Sequence, residues 1–144
     1  MHTFTVEKTL EAPLDKVWAV VSDFANLDWF GGAERVEAVG EGVGQVRRIF
    51  MPGMDAPVEE KLLARDAQRH CVEYAVLEGG MNVMRDYRVA ASLSDNGAGG
   101  TLARWEAAFS GVSVEGVDPQ DMIDVMQGTY DGMLDAIAIE ALKR

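Results

Sequence analysis

The segment Gln45–Met51 (QVRRIFM) places two guanidinium groups side by side in a run that reads as a β-strand. Gln45, Arg47, Ile49 and Met51 share one face there, and Val46, Arg48 and Phe50 share the other. One arginine therefore points inward and its neighbour points to solvent. A guanidinium on a half-apolar inner face must be paired or hydrogen-bonded, because an isolated buried charge is very costly. Two readings follow: an Arg that binds a carboxylate or carbonyl of a ligand, or a structural ion pair between neighbouring strands. Tyr74 and Tyr87 lie on successive strand-like runs. A phenol in a cavity joins an apolar ring to one polar handle, able to hydrogen-bond a ligand carbonyl or act as a weak general acid. Ordinary aromatic packing is the plainer alternative. Trp29 and Phe30, followed by Gly31 and Gly32, are either a lid beside a cavity or plain core.

Seven methionines beyond the first residue (Met51, Met54, Met81, Met84, Met122, Met126, Met133) suit either irregular core gaps or a pocket for apolar ligands. Met122, Met126 and Met133 are the ones expected to face such a pocket. His70 and Cys71 are adjacent, so on a strand they point to opposite faces and cannot act as a catalytic pair. With His2 the only other histidine, no metal cluster of credible spacing exists, and no cofactor is expected. No nucleophile elbow, P-loop or dinucleotide fingerprint occurs; DNGAGG joins two strands as a hairpin loop. Glu115, Asp118, Asp121 and Asp124 crowd a helix start, where negative charge complements the helix dipole and stays hydrated.

The elements that must position these groups follow from periodicity. Phe4 and Val6 alternate with Thr3, Thr5 and Glu7 in an opening strand that Pro13 ends. Leu14, Val17, Trp18 and Val21 recur at helical spacing, and the turn-rich Asn26–Gly32 stretch follows. Six strand-like runs then succeed one another: Arg35–Val39, Gln45–Met51, Val58–Arg65, Cys71–Leu77, Val83–Leu93 and Leu102–Phe109. Asp118 as N-cap and Pro119 at the first helical position begin the one long helix. Its apolar face carries Met122, Met126, Tyr130, Met133 and Ile137. The order is that of an α+β fold, a curved antiparallel sheet against one long helix. One helix cannot fill the concave side of seven strands, so a cavity between them is expected.

The 144 residues suit one domain, and the 48% hydrophobic content argues against disorder. Lys+Arg 13 against Asp+Glu 24 gives a net charge of −11, which disfavours nucleic acid and anionic membrane surfaces as partners. A single cysteine makes the fold independent of oxidising conditions. No apolar run approaches a membrane span, and the N-terminus lacks a basic start and an apolar signal core, so a cytoplasmic location is expected.

With these elements in order, the chain resembles the START-like (SRPBCC) superfamily, in its polyketide cyclase/dehydrase-like branch. The opening APLDKVWAVVSDFANLDWF is similar to the family's Pro-led helix with a Val-Trp pair, followed by Asp-Phe, Asn and Trp. GVGQVRRIFM, VEEKLLARD, CVEYAV, MRDYRV and ARWEAAF match further family positions at Arg47, Glu60, Leu62, Asp66, Tyr74, Asp86, Tyr87 and Trp105. The resemblance spans residues 1–144. It implies the helix-grip fold: a seven-stranded curved antiparallel sheet around a long C-terminal helix, two short helices between the first two strands, and an internal cavity. It also selects Arg47 as the inward arginine, with Glu60 on the next strand as its partner.

The implied function is binding of a small hydrophobic or amphipathic molecule, whether lipid-like, polyketide-like or aromatic. Trp29, Arg47, Ile49, Glu60, Tyr74, Tyr87, Trp105, Met122, Met126, Tyr130 and Met133 would line the site. The rival is an enzyme resembling the aromatase/cyclases, with Arg47 stabilising an enolate and Tyr74 or Tyr87 donating a proton. A regulatory or co-chaperone-like interaction module is the third class. A homodimer is compatible with the sequence, but no residue argues for it.

Overall fold

A computed structural model describes residues 1–79 and 82–144. Gly80 and Met81, the latter one of the methionines weighed for the pocket, lie outside the described residues. Strand β1 (His2–Leu10) is followed by helix α1 (Leu14–Ser22) and then by β2 (Arg35–Val39), β3 (Val46–Phe50), β4 (Val58–Asp66) and β5 (Cys71–Val76). Two-residue β6 (Met84–Arg85) precedes β7 (Tyr87–Asp95) and β8 (Thr101–Phe109); β9 (Gly111–Val112) and helix α2 (Pro119–Lys143) complete the chain. Seven strands form one antiparallel sheet in the order β1-β8-β7-β5-β4-β3-β2. The meander keeps sequence neighbours adjacent, and the first strand closes onto the eighth, with His2 opposite Phe109 and Leu10 opposite Thr101.

Alternation drives the sheet. On β1, Phe4, Val6 and Leu10 point inward, and on β8 Ala103, Trp105, Ala107 and Phe109 do the same. The apolar face of α2 meets this surface through Tyr130, Leu134, Ile137 and Ala141. Leu134 is completely buried, a side chain whose removal from water is worth about 2–3 kcal/mol. Asp118 caps the helix as expected: its carboxylate accepts from Gln120 N at 2.9 Å, and Pro119 occupies the first turn, where its missing N–H is not needed. On the sheet side, Lys8 reaches Asp131 (3.1 Å) and Asp135 (2.8 Å) on α2.

Two expectations are corrected. The second short helix between β1 and β2 does not form; among the described residues α1 and α2 are the only helices. After α1, Asp23 leaves helical geometry, and the segment from Asp23 to Glu34 runs in turns. Asn26 Oδ1 accepts from Asp28 N (3.1 Å), the Asn26 carbonyl accepts from the Trp29 indole (3.0 Å), and the Leu27 carbonyl accepts from Phe30 N (2.8 Å). Local side-chain bonds compete with a helix here, and the segment is too short to outweigh them. Nor is Val83–Leu93 one continuous strand. Asp86 takes a positive φ of 53°, a conformation Asp tolerates better than most residues. Ser110 Oγ donates to its carboxylate at 2.6 Å. The chain turns there, leaving β6 to pair with β9 in a separate two-stranded ribbon.

Candidate functional site

Between the concave face of the sheet and α2 lies a cavity of about 370 Å³. Strands β3, β4, β5, β7 and β8 supply one wall through Arg47, Ile49, Glu60, Tyr74, Tyr87 and Trp105. Helix α2 supplies the opposite wall through Met122, Met126, Tyr130 and Met133, and the turn after α1 adds Trp29 at one end. All eleven residues expected around a pocket thus face one space. Val20, Phe24, Leu27, Phe30, Met51 and Asn82 line it as well, beyond the residues expected there.

The register explains why one arginine is inside and the other outside. Arg47 stands opposite Glu60, and Arg48 stands opposite Glu59 on one side and Glu37 on the other. Arg48 bridges Glu37 at 3.1 Å and Glu59 at 3.5 Å on the outer face. Arg47 Nε donates to Glu60 Oε1 at 2.7 Å, with both side chains only 11% and 13% exposed. Its Nη1 donates to the carbonyl of Phe24 at 2.8 Å, and its guanidinium lies over the rings of Phe24 (4.0 Å) and Tyr74 (5.0 Å). These contacts hold the group in one orientation, joining the segment after α1 to the sheet. Phe24 was visible only as part of the Asp-Phe pair after α1; nothing in the sequence signals that its carbonyl receives Arg47. Asn82 is a lone polar side chain in an apolar run. Its amide nitrogen donates to the carbonyls of Val76, Leu77 and Met84, and its side-chain oxygen accepts from Met84 N at 3.0 Å. That set of bonds ties the turn before β6 to the end of β5.

All three tyrosines of the chain belong to this site. The Tyr87 and Tyr130 hydroxyls are hydrogen-bonded to each other, and the Tyr74 hydroxyl neighbours that of Tyr130. Burial pushes all three phenols well above their ordinary value of 10.0. The negative charge of Glu60 adds to the rise at Tyr74, and Arg47 opposes it. At neutral pH the hydroxyls therefore keep their protons and act as hydrogen-bonding groups, not as phenolate bases. Trp105 Nε1 is buried beside the Tyr74 hydroxyl, yet it makes no hydrogen bond of acceptable geometry. No group of three His, Cys, Asp or Glu side chains with metal-binding geometry occurs among the described residues. No helix among them is long and apolar enough to cross a membrane.

The sequence profile described as polyketide cyclase/dehydrase and lipid transport matches residues 1–141. None of the curated proteins matches the chain in sequence. Solved structures with the same fold include XoxI from Bacillus cereus (19% identity, TM-score 0.82, covering 99% of this chain and 96% of that one). Ara h 8.0201 is similar over 99% of both chains at 22% identity and a TM-score of 0.79. Norcoclaurine synthase from Thalictrum flavum is similar at 24% identity and a TM-score of 0.79, covering 99% of this chain and 87% of its own. These likenesses show the helix-grip fold. With the profile match over nearly its whole length, the chain belongs to the polyketide cyclase/dehydrase and lipid transport family of START-like (SRPBCC) proteins.

Proposed function

We propose that this protein binds a small hydrophobic or amphipathic molecule between the sheet and α2. The observation that carries the reading is the cavity itself: about 370 Å³, apolar over most of its wall, with a polar cluster at Arg47, Glu60 and the tyrosines. Few convergent polar groups in an apolar enclosure are the usual form of a small-molecule site. Ile49, Trp29 and the α2 methionines would hold the apolar body. Tyr74, Tyr87, Tyr130 and Trp105 would orient the polar end, with Arg47 and Glu60 shaping that wall. A helix-grip relative, norcoclaurine synthase, has been solved with dopamine and hydroxybenzaldehyde. The clustering of neutral phenols beside Arg47 also suits a second reading, a cyclase-like enzyme acting on a carbonyl-rich substrate.

Native mass spectrometry of gently purified protein tests both. A retained apolar compound, lost in Met126→Trp because the indole fills the cavity, is the expected result. Loss of water from that compound during incubation would move the assignment to the enzyme. If no compound is retained and apolar naphthalene probes fail to bind, the binding reading is wrong.

A further inference from the structure

Hydrogen-bond donors exceed acceptors at the polar end of the cavity. Trp105 Nε1 and the three tyrosine hydroxyls bring four protons to a cluster whose only acceptors of its own are the three phenolic oxygens. At most three contacts join these four groups in a row, so one proton is always left over, and the indole N–H is the one without a partner. Buried donors without a partner are rare and costly, and here the buried indole N–H has none. Glu60, the nearby carboxylate, accepts from Arg47 through Oε1 at 2.7 Å and receives no hydrogen bond from the phenols or the indole. Arg47 is in turn occupied by that carboxylate, by the Phe24 carbonyl and by two aromatic faces. The pair is electrically balanced, so a ligand carboxylate would carry an uncompensated charge into an apolar enclosure.

Resting on the binding reading above, we infer that the ligand presents a neutral hydrogen-bond-accepting oxygen, such as a ketone, aldehyde or enone carbonyl, to the Tyr74–Tyr130–Trp105 end, and that carboxylate ligands are disfavoured. Because burial keeps the phenols protonated, the donor surplus persists throughout the neutral range.

Three probes with one apolar body separate the terms: 2-acetylnaphthalene, 2-ethylnaphthalene and 2-naphthoate, measured by equilibrium dialysis at pH 7. The ketone is expected to bind about tenfold tighter than the ethyl compound, the size of one well-made buried hydrogen bond, and at least that much tighter than the carboxylate. In Trp105→Phe, which removes a donor and no acceptor and is checked for folding by circular dichroism, the ketone-to-ethyl ratio should fall to about twofold or less, whereas Tyr74→Phe removes one of each and should keep the preference. Equal binding of ketone and ethyl compound would overturn the acceptor preference, and tightest binding of naphthoate would overturn the neutrality. An unchanged ratio in Trp105→Phe would overturn the assignment to the indole N–H. The wild-type comparison decides the matter even if a variant does not fold. Failure of all three probes to bind removes the binding reading, and this inference with it.

Discussion

Replacing Arg47 by Met keeps most of the apolar stem and removes the guanidinium. Glu60, only 13% exposed, then remains in the cavity wall as a carboxylate without its cation, and the Phe24 carbonyl loses its donor. Breaking one side of a buried ion pair typically costs about 3–5 kcal/mol, most of it the penalty of the charge left behind. For a domain of this size, roughly 3 °C of melting temperature is lost per kcal/mol, so Arg47→Met should melt about 10–15 °C below wild type. Urea unfolding followed by circular dichroism measures the same loss at 25 °C. The double variant Arg47→Met/Glu60→Leu removes both charges and both desolvation costs, and should return to within about 1 kcal/mol of wild type. Arg48→Met is the control: its partners are on the outer face and the side chain is 36% exposed, so about 0–1 kcal/mol is expected. The reasoning is refuted if Arg47→Met costs less than about 1 kcal/mol, or if the double variant is as unstable as the two single losses added together.

Two further expectations follow from the geometry. The folded state holds its phenol protons above the ordinary value of 10.0. The tyrosines' contribution to stability is therefore complete below pH 10 and is lost as pH rises further, because the unfolded chain releases protons that the folded chain keeps. Well above pH 10 the three together should lower stability by about 4 kcal/mol per pH unit. Absorbance at tyrosinate wavelengths should rise only with unfolding; a gradual rise in the native protein would contradict the buried cluster. A Cβ at Gly100 would lie 2.6 Å from the Leu10 carbonyl and 2.8 Å from Asn96 Nδ2. Gly100→Ala should therefore cost about 1–3 kcal/mol in a thermal melt, and a neutral result would mean that the β7–β8 loop yields freely.

Much of this architecture is legible in the sequence, for reasons that particular residues make plain. The face shared by Arg47 and Ile49 follows from strand alternation, and the α2 stripe from Met122 to Ile137 follows from helical periodicity; both are geometric necessities once the element is recognised. Asp118-Pro119 marks a helix start because each residue satisfies a local requirement. What escapes such reading is decided over long distance or by competition. Asp86 sits in an apolar alternating run, and only the pairing of Met84 with Val112 and the bond from Ser110 show why the strand breaks there. The segment after α1 has enough apolar residues for a helical turn, but Asn26 diverts its backbone into turns. The carbonyl that receives Arg47 belongs to Phe24, and no side-chain pattern announces a backbone acceptor. Likewise, Trp105 reads as a core aromatic until the surroundings of its indole nitrogen are known.

The pairing of β1 with β8 has a consequence for how the molecule assembles. Strands β2 to β5 find their partners among sequence neighbours, whereas Phe4 must wait for Ala107, and α2 comes after both. Closing a loop of about a hundred residues is entropically slow compared with forming the hairpins inside it. On a ribosome, the apolar alternation of β1 emerges well before β8 and stays unmatched until β8 has been made. The enclosure is thus a late product of folding. A chain stopped before Phe109 would carry most of the residues of the sheet wall but have nothing to close them against.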